Sequence, residues 1–475
     1  MAQTQPARTN AEVRTQPEDT DRMPSGIPFI VGNEAAERFS FYGMKGILVV
    51  FMTQYLVGLD GQPAGLDDDA ATAIYHRFTA AVYLFPILGA LLADHVLGKY
   101  RVIISLSVVY CLGHLVLGLM EHPQLTGIEP KTMLLAGLGL IALGSGGIKP
   151  CVSAHVGDQF GPRNAHLLER VFGWFYFSIN LGAFASTIIC PWLLDHEDFG
   201  PSWAFGLPGG LMLLATVVFW LGRRRYAHVP PSGVGEVKRL LTTEWRSVAR
   251  VLPLFAFLVV FWAIFDQTGA RWVLQADRMD QAVGGSRILP SQMQSANPLM
   301  VMLLIPLFQY VVYPALSKVV TLTPLRKIGV GLLLAGFSAV QSGWIEQAIQ
   351  ANPEAPPSIL WQLLPYLTLT ASEVLVSIVG LEFAYSQAPR AMKSIVMALF
   401  FSSVTVGNLV VAEVNEAISE NAELATSLEG AAYFNTFAIA AVVVAAAFAV
   451  WASFYRYETV LQTADSGDVE AEAVG

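Results

Sequence analysis

Glu34-Ala35-Ala36-Glu37-Arg38-Phe39-Ser40-Phe41-Tyr42-Gly43-Met44-Lys45 is a charged stretch inside the first long apolar segment, roughly residues 29–56. In a helix, Glu34, Arg38, Tyr42 and Lys45 share one face. A charge at the centre of a bilayer costs at least about 2.5–3.5 kcal/mol. A spanning helix with four ionisable residues should therefore turn this face towards partners and a water-filled cavity. The alternative interpretation is an ion-pair patch with a structural role.

The composition indicates a polytopic α-helical membrane protein. Of 475 residues, 54% are hydrophobic and only 14% are charged, whereas soluble domains carry about 25% charged residues. The net charge of −9 comes without a basic patch suited to nucleic acid, so no nucleic-acid partner is expected. Cys111, Cys151 and Cys190 lack the spacing of metal ligands, and no metal site is predicted.

Repeated apolar segments predict twelve membrane-spanning helices in two halves of six. The predicted organisation is a disordered tail (1–26), a six-helix bundle (27–222), a linker (223–250), a second six-helix bundle (251–457) and an acidic tail (458–475). The spans are predicted at roughly 29–56, 70–94, 100–119, 132–153, 167–191, 201–222, 251–276, 294–316, 326–349, 358–386, 391–415 and 431–455.

The distribution of cations predicts the orientation. Lys and Arg concentrate in the loops after spans 2, 4, 6, 8 and 10, as in Arg223-Arg224-Arg225, whereas the other loops hold acids such as Asp67-Asp68-Asp69. Cytoplasmic loops are the basic ones. Both termini are therefore expected in the cytoplasm, with the protein in the plasma (inner) membrane.

Several later spans carry ionisable residues that need partners. Lys149, after the small residues Gly144-Ser145-Gly146-Gly147, is costly at this depth unless a carboxylate such as Glu34 or Glu37 faces it; snorkelling to the cytoplasmic face is the alternative. Asp266 and Lys45 both lie towards the outer ends of their spans, so we predict an outer salt bridge between them. His76 is a candidate proton carrier or a structural histidine.

Polar and aromatic residues accompany these charges at helical spacing. Tyr176 shares a face with Asn180, Trp262 with Asp266, and Glu373 with Ser377, while Asn297 opens span 8. An Asp or Glu inside a span is a functional candidate by default, whereas amides and aromatic residues more often join helices.

Five motifs in both halves together resemble the proton-coupled oligopeptide transporter family of the major facilitator superfamily. They are Glu34-x-x-Glu37-Arg38-Phe39-x-Phe41-Tyr42-Gly43, Gly147-Ile148-Lys149-Pro150, Phe175-Tyr176-x-x-Ile179-Asn180-x-Gly182, Phe261-Trp262-Ala263-x-Phe265-Asp266-Gln267 and Gly380-Leu381-Glu382-Phe383-x-Tyr385-Ser386-Gln387-Ala388-Pro389. The resemblance covers about residues 29–455.

The resemblance implies a proton-driven symporter of di- and tripeptides that works by alternating access, with its site between the two halves. It implies a proton-coupling role for Glu34, Glu37, Arg38, His76, Lys149 and Asp266, and an outer gate of Lys45 and Asp266. It implies a substrate site formed by Arg38, Tyr42, Lys45, Tyr83, Lys149, Tyr176, Asn180, Trp262, Asn297, Glu373, Ser377 and Phe400.

The chain departs from the family pattern at three positions. It has Phe41 where the family often has Tyr, Lys45 where it often has Arg, and Phe400 where it often has Trp. Lysine cannot form the bidentate contact that arginine offers a carboxylate. The linker is also too short for the two extra helices that many bacterial members insert between the halves.

Other functions remain open at this point. A transporter of the same fold could carry another small organic anion or nitrate, or export drugs. An enzyme is not expected, because no nucleophile–base set or phosphate-binding loop is visible. Protons are the only coupling species expected and no cofactor is; the expected partners are peptides and the lipid bilayer, and a monomer is expected.

Overall fold

The computed structural model describes residues 14–231, 233, 245–386 and 393–455. Twelve long helices are found within these ranges, and we number them α1–α12. They are α1 (Ile27–Val50), α2 (Asp68–Leu92), α3 (Lys99–Leu119), α4 (Pro130–Gly157), α5 (Leu168–Asp195), α6 (Gly200–Leu221), α7 (Trp245–Phe265), α8 (Ala296–Leu307), α9 (Pro324–Ala351), α10 (Leu363–Glu373), α11 (Lys393–Glu420) and α12 (Ala431–Phe454).

Short helical turns extend several of these helices. α1 and α2 continue in π turns at Phe51–Tyr55 and Ala93–Leu97. α10 continues through a π turn, Val374–Ile378, into the helix Val379–Ser386. A 3-10 turn (Asp266–Gly269) and a short helix (Arg271–Asp277) follow α7. Ala282–Val283 and Ser286–Arg287 form a two-stranded hairpin before α8.

The described part of the chain contains ten helices that are long and apolar enough to cross a membrane. α1 and α11 are not among the ten, and α1 is the helix that carries the charged stretch Glu34–Lys45. The twelve helices confirm the predicted all-α fold. Both described termini lie at one end of the helix bundle, where α1 also begins, and we call it the terminal end. The other end of the bundle is called the opposite end.

Helix packing reveals a repeat that the sequence did not show. In the first half, α1 packs on α5 and α6, α2 on α4, and α3 on α4 and α6. These five pairs recur six helices later: α7 on α11 and α12, α8 on α10, and α9 on α10 and α12. Each half has its own apolar core. The halves meet where α2 packs on α11 and, in the equivalent pairing, α5 on α8. A cleft between two repeats is where transporters of this kind bind substrates.

Small residues allow close approach inside the first half, as the sequence predicted. A Cβ atom on Gly89 of α2 would lie 2.2 Å from the carbonyl oxygen of Gly147 on α4. A Cβ on Gly146 would lie 2.5 Å from the carbonyl oxygen of Val82. These backbone contacts fix α4, and with it Lys149, against α2.

The amino-terminal segment contacts other parts of the chain before α1 begins. The structure describes it from Arg14 onward, and it packs on loops of the terminal end. His228 N donates to the Arg14 carbonyl oxygen at 2.7 Å, and Asn164 Nδ2 donates to the Arg22 carbonyl oxygen at 3.2 Å. Polar side chains and backbone groups of the loops thus contact residues 14–26, and the disordered tail 1–26 stays a prediction.

Other predicted segments lie outside the described residues. These are residues 1–13, most of the linker (232 and 234–244), the 387–389 part of the last motif, and the acidic tail 458–475. α7 begins at Trp245, six residues before the predicted span, so the end of the predicted linker is already helical.

Candidate functional site

Arg38 neutralises both carboxylates of the charged stretch in α1. Its Nε atom lies 2.7 Å from Glu34 Oε1 and 2.9 Å from Glu37 Oε2. Ser145 Oγ of α4 donates to the other oxygen of Glu37 at 3.1 Å. The three charged residues are 2%, 1% and 7% exposed, so they lie inside the bundle and do not face lipid. Glu34, Glu37 and Arg38 of the predicted charge cluster therefore lie together.

Lys149 occupies a different position from the one expected. Its ammonium lies 4.2 Å from the ring centre of Phe41 and 4.3 Å from that of Tyr83. No carboxylate among the described residues forms an ion pair with it. The expected pair with Glu34 or Glu37 is thus absent in this conformation, because Arg38, on the same helix as the carboxylates, already binds both. Two aromatic faces stabilise the Lys149 charge instead.

Aromatic rings connect Lys149 to the second half. Tyr83, one of its two ring partners, lies 6.0 Å from Phe401 of α11 between ring centres. Phe401 lies 6.0 Å from Phe400, and Phe400 packs edge-on against Trp262 at 5.9 Å. The predicted residues Tyr83, Trp262 and Phe400 therefore belong to one aromatic layer that crosses the cleft.

Glu373 of α10 is the predicted acid of the second half. Asn297 Nδ2 of α8 donates to Glu373 Oε2 at 2.8 Å and also contacts Thr370 Oγ1 at 3.2 Å. Tyr42 of α1, on the first half, packs edge-on against Phe41, with 5.3 Å between ring centres. The first half thus carries the cations Arg38 and Lys149, and the second half carries the acid Glu373.

Tyr176, Asn180 and Ser377 are three further residues predicted for the substrate site. Tyr176 is 42% exposed, and Asn180 Nδ2 donates to the Tyr176 carbonyl oxygen at 3.0 Å instead of to another helix. Ser377 lies in the π turn after Glu373, so the four-residue spacing between them is not that of an α-helix. π turns of this kind are frequent at functional sites.

Lys45 and Asp266 form the predicted pair near the opposite end. The distance from Lys45 Nζ to Asp266 Oδ1 is 3.0 Å, and the residues are 8% and 6% exposed. The second oxygen of Asp266 accepts a hydrogen bond from Asn408 Nδ2 at 2.8 Å. Asn408 Oδ1 lies 2.7 Å from His76 Nδ1. His76 therefore joins the same network through Asn408.

Sequence reasoning missed Asn408 and a second set of contacts across the halves. Arg271 binds Asp69 of α2, and its Nε donates to Asn415 Oδ1 of α11 at 3.0 Å. Arg77 of α2 lies 3.1 Å from Glu413 and also binds Glu416 of α11. These contacts close the opposite end. An amide inside a span was the only available sequence signal, and amides are common in spans.

A family model described as "PTR2: POT family" matches residues 100–240 and 234–428. The chain belongs to the POT family. This confirms the resemblance to the proton-coupled oligopeptide transporter (POT) family and the major facilitator fold.

The relatives of this POT family chain include named transporters. "Peptide transporter family 1" of Drosophila melanogaster is 40% identical over 374 residues, covering 70% of this chain and 49% of the relative. Human "Solute carrier family 15 member 2" is 40% identical over 400 residues, covering 76% and 54%. The chain thus spans about half the length of these relatives.

Solved POT structures cover almost the whole chain. An auto-inhibited POT family peptide transporter is 37% identical, with a TM-score of 0.82 over 93% of this chain and 99% of its own. The POT family transporter PepTSo is 38% identical, with a TM-score of 0.80 over 91% and 98%.

Proposed function

We propose that this POT family chain is a proton-coupled symporter that takes up di- and tripeptides by alternating access. One observation carries the proposal: the first half holds the cations Arg38 and Lys149 at the depth of its charged stretch, and the second half holds the acid Glu373. The names of the relatives support it, since two of them are peptide transporters. A related POT, 26% identical, has been solved with alafosfalin.

A short peptide fits this charge arrangement because it is a zwitterion. Its carboxylate can bind the cations and its ammonium can bind Glu373. An extended residue spans at most about 3.3–3.6 Å, so a fixed distance between the two walls selects two or three residues. The contacts go to the peptide termini, and the aromatic layer of Tyr83, Trp262 and Phe400 accepts varied side chains. We therefore expect broad side-chain tolerance.

Proton coupling follows from competition for Arg38. While Glu34 and Glu37 are ionised, they hold the guanidinium at 2.7 and 2.9 Å. Protonation of either carboxylate weakens that hold and frees Arg38 to bind the peptide carboxylate. Lys149, which contacts the aromatic faces of Phe41 and Tyr83, is available to the same carboxylate. Loss of the proton restores the ion pairs and helps to expel the peptide.

Lys45 and Asp266 are proposed as the gate at the opposite end, which we place outside the cell. This orientation puts the basic loops and both termini in the cytoplasm and the protein in the plasma membrane. His76 joins the gate through Asn408 and is proposed to take part in proton coupling there. We propose a monomer, since each chain contains both walls of its own cleft.

Uptake by purified protein in liposomes tests the function. With an inward proton gradient, labelled dialanine should accumulate; unlabelled di- and tripeptides should compete, whereas tetrapeptides and free amino acids should not. Competition by nitrate or by organic anions without an amine would instead favour the other substrate class. Outward transport of drugs without peptide uptake would indicate an exporter.

A further inference from the structure

A groove on the membrane-facing side of the bundle lies apart from the central cleft. α2 forms its floor, with small residues such as Ala73 and Ala81, and Leu135 of α4 and Ser419 of α11 lie on its two walls. Its volume is about 570 Å³, within the roughly 300–1,000 Å³ of ligand sites. One wall belongs to the first half and the other to the second.

The groove extends along one leaflet. On α4 it runs from Lys131 to Ala142, a rise of about 16 Å at 1.5 Å per residue. That length is about half of a hydrocarbon core roughly 30 Å thick. Lys131 is the second residue of α4 and Glu420 the last of α11, so the charged rim lies at the opposite end and the apolar part lies deeper.

The middle of the groove is open. A Cβ atom on Gly139 of α4 would meet no heavy atom within 4 Å. Leu135, one turn away, is 47% exposed. An apolar chain can therefore lie along α4 without displacing a side chain.

The rim of the groove carries one positively and one negatively charged side chain. Lys131 and Glu420 are exposed, and neither forms an ion pair with a described residue. Arg77 and Glu416, deeper in the groove, already bind each other. Lipid chains are as apolar as leucine, so burial alone does not select a ligand inside a membrane. Selection must come from the head group and from the shape of the groove.

We propose that this groove binds one phospholipid whose head group carries a phosphate and a primary ammonium. The phosphate lies at Lys131, the ammonium donates hydrogen bonds to the Glu420 carboxylate, and one acyl chain runs past Gly139. A trimethylated ammonium cannot donate such bonds. Because the walls belong to different halves, the bound lipid also holds α11 beside α4 and favours the conformation closed at the opposite end.

Lipid binding to delipidated protein, measured by native mass spectrometry, tests the site. Phosphatidylethanolamine should bind at least about fivefold more tightly than phosphatidylcholine or phosphatidylglycerol with the same chains, the ratio that corresponds to roughly 1 kcal/mol. Gly139→Leu, which fills the groove, and the double variant Lys131→Gln/Glu420→Gln should each remove this preference. Gly118→Leu is the matched control, since Gly118 also has open space but lies on α3 outside the groove, and it should retain the preference.

Amide exchange gives a second measurement that does not depend on transport. In phosphatidylethanolamine, exchange over residues 66–72 and 417–424 should slow relative to phosphatidylcholine in the wild type but not in Gly139→Leu. Equal binding of the two lipids by the wild type, or a preserved preference in both variants, would overturn the proposal. So would preferential binding of phosphatidylglycerol, which indicates a site for anionic lipid.

Discussion

Lys45 and Asp266 form a buried ion pair across the two halves, with 3.0 Å between Nζ and Oδ1. Lys45 lies near the end of α1, and Asp266 begins the 3-10 turn that follows α7. The pair therefore joins equivalent helices of the repeat at the point where they must separate for the opposite end to open. Its strength bears directly on the balance between the two conformations.

Removing one charge of this pair should open the opposite end. In Asp266→Asn, Lys45 remains buried without its counter-ion, and breaking a buried pair in this way costs about 3–5 kcal/mol. Spin labels at positions 59 and 421, exposed on the two halves, should show a larger long-distance population by pulsed electron resonance. Gradient-driven uptake should fall at least about tenfold.

The charge-reversed double variant Lys45→Asp/Asp266→Lys checks that the effect is a direct pairing. It should regain part of the closed population and of the uptake. Gln54→Ala is the control, since Gln54 bonds Asp277 at 3.0 Å across the same end but at an exposed site, and it should change little. If the double variant were as inactive as either single change, direct pairing would lose support.

Glu37→Gln should separate transport from the proton gradient. The amide keeps the shape of the side chain but cannot be ionised, so Arg38 is held less strongly whatever the pH. We expect accumulation against a gradient to disappear while counterflow exchange of peptide continues. Ser145→Ala removes only the 3.1 Å hydrogen bond to Glu37 and should keep accumulation within about threefold of the wild type. Accumulation by Glu37→Gln would exclude this carboxylate from coupling.

The sequence predicted the structure best where charged residues had to be buried inside a span. A spanning helix with Glu34, Glu37 and Arg38 has few stable solutions, so the cluster and the number of spans could be predicted from composition and spacing. The partner of Lys149 could not be predicted. Arg38 and Lys149 compete for the same carboxylates, and only the distances in the structure show which of the two cations binds them. The role of Asn408 was equally hidden, since an amide in a span gives no sign of its neighbours on other helices.

Glu373→Gln should change the recognition of the peptide amine. Glu373 accepts a hydrogen bond from Asn297 at 2.8 Å, and a charged hydrogen bond of this kind contributes about 1.5–3 kcal/mol. The KM for dialanine should rise about tenfold or more, while N-acetylated dialanine should be affected much less. Asn297→Ala should raise the KM for dialanine by a smaller factor, since Asn297 only orients the Glu373 carboxylate. If the KM rose equally for both substrates, the idea that Glu373 binds the peptide amine would be wrong.

Asn408→Leu should weaken the closed opposite end by disconnecting two buried groups. The asparagine donates to Asp266 Oδ2 at 2.8 Å, and its Oδ1 lies 2.7 Å from His76 Nδ1. Both His76 and Asn408 are fully buried, and a buried polar group that loses its partner costs about 1–3 kcal/mol. The population closed at that end should fall about fivefold or more in the spin-label experiment, and the pH dependence of uptake should change. Thr405→Val is the control on the same helix, because Thr405 makes only a 3.3 Å contact with the Ala80 carbonyl oxygen across the halves. If both variants kept the wild-type distances and pH profile, the network through Asn408 would have no part in the gate.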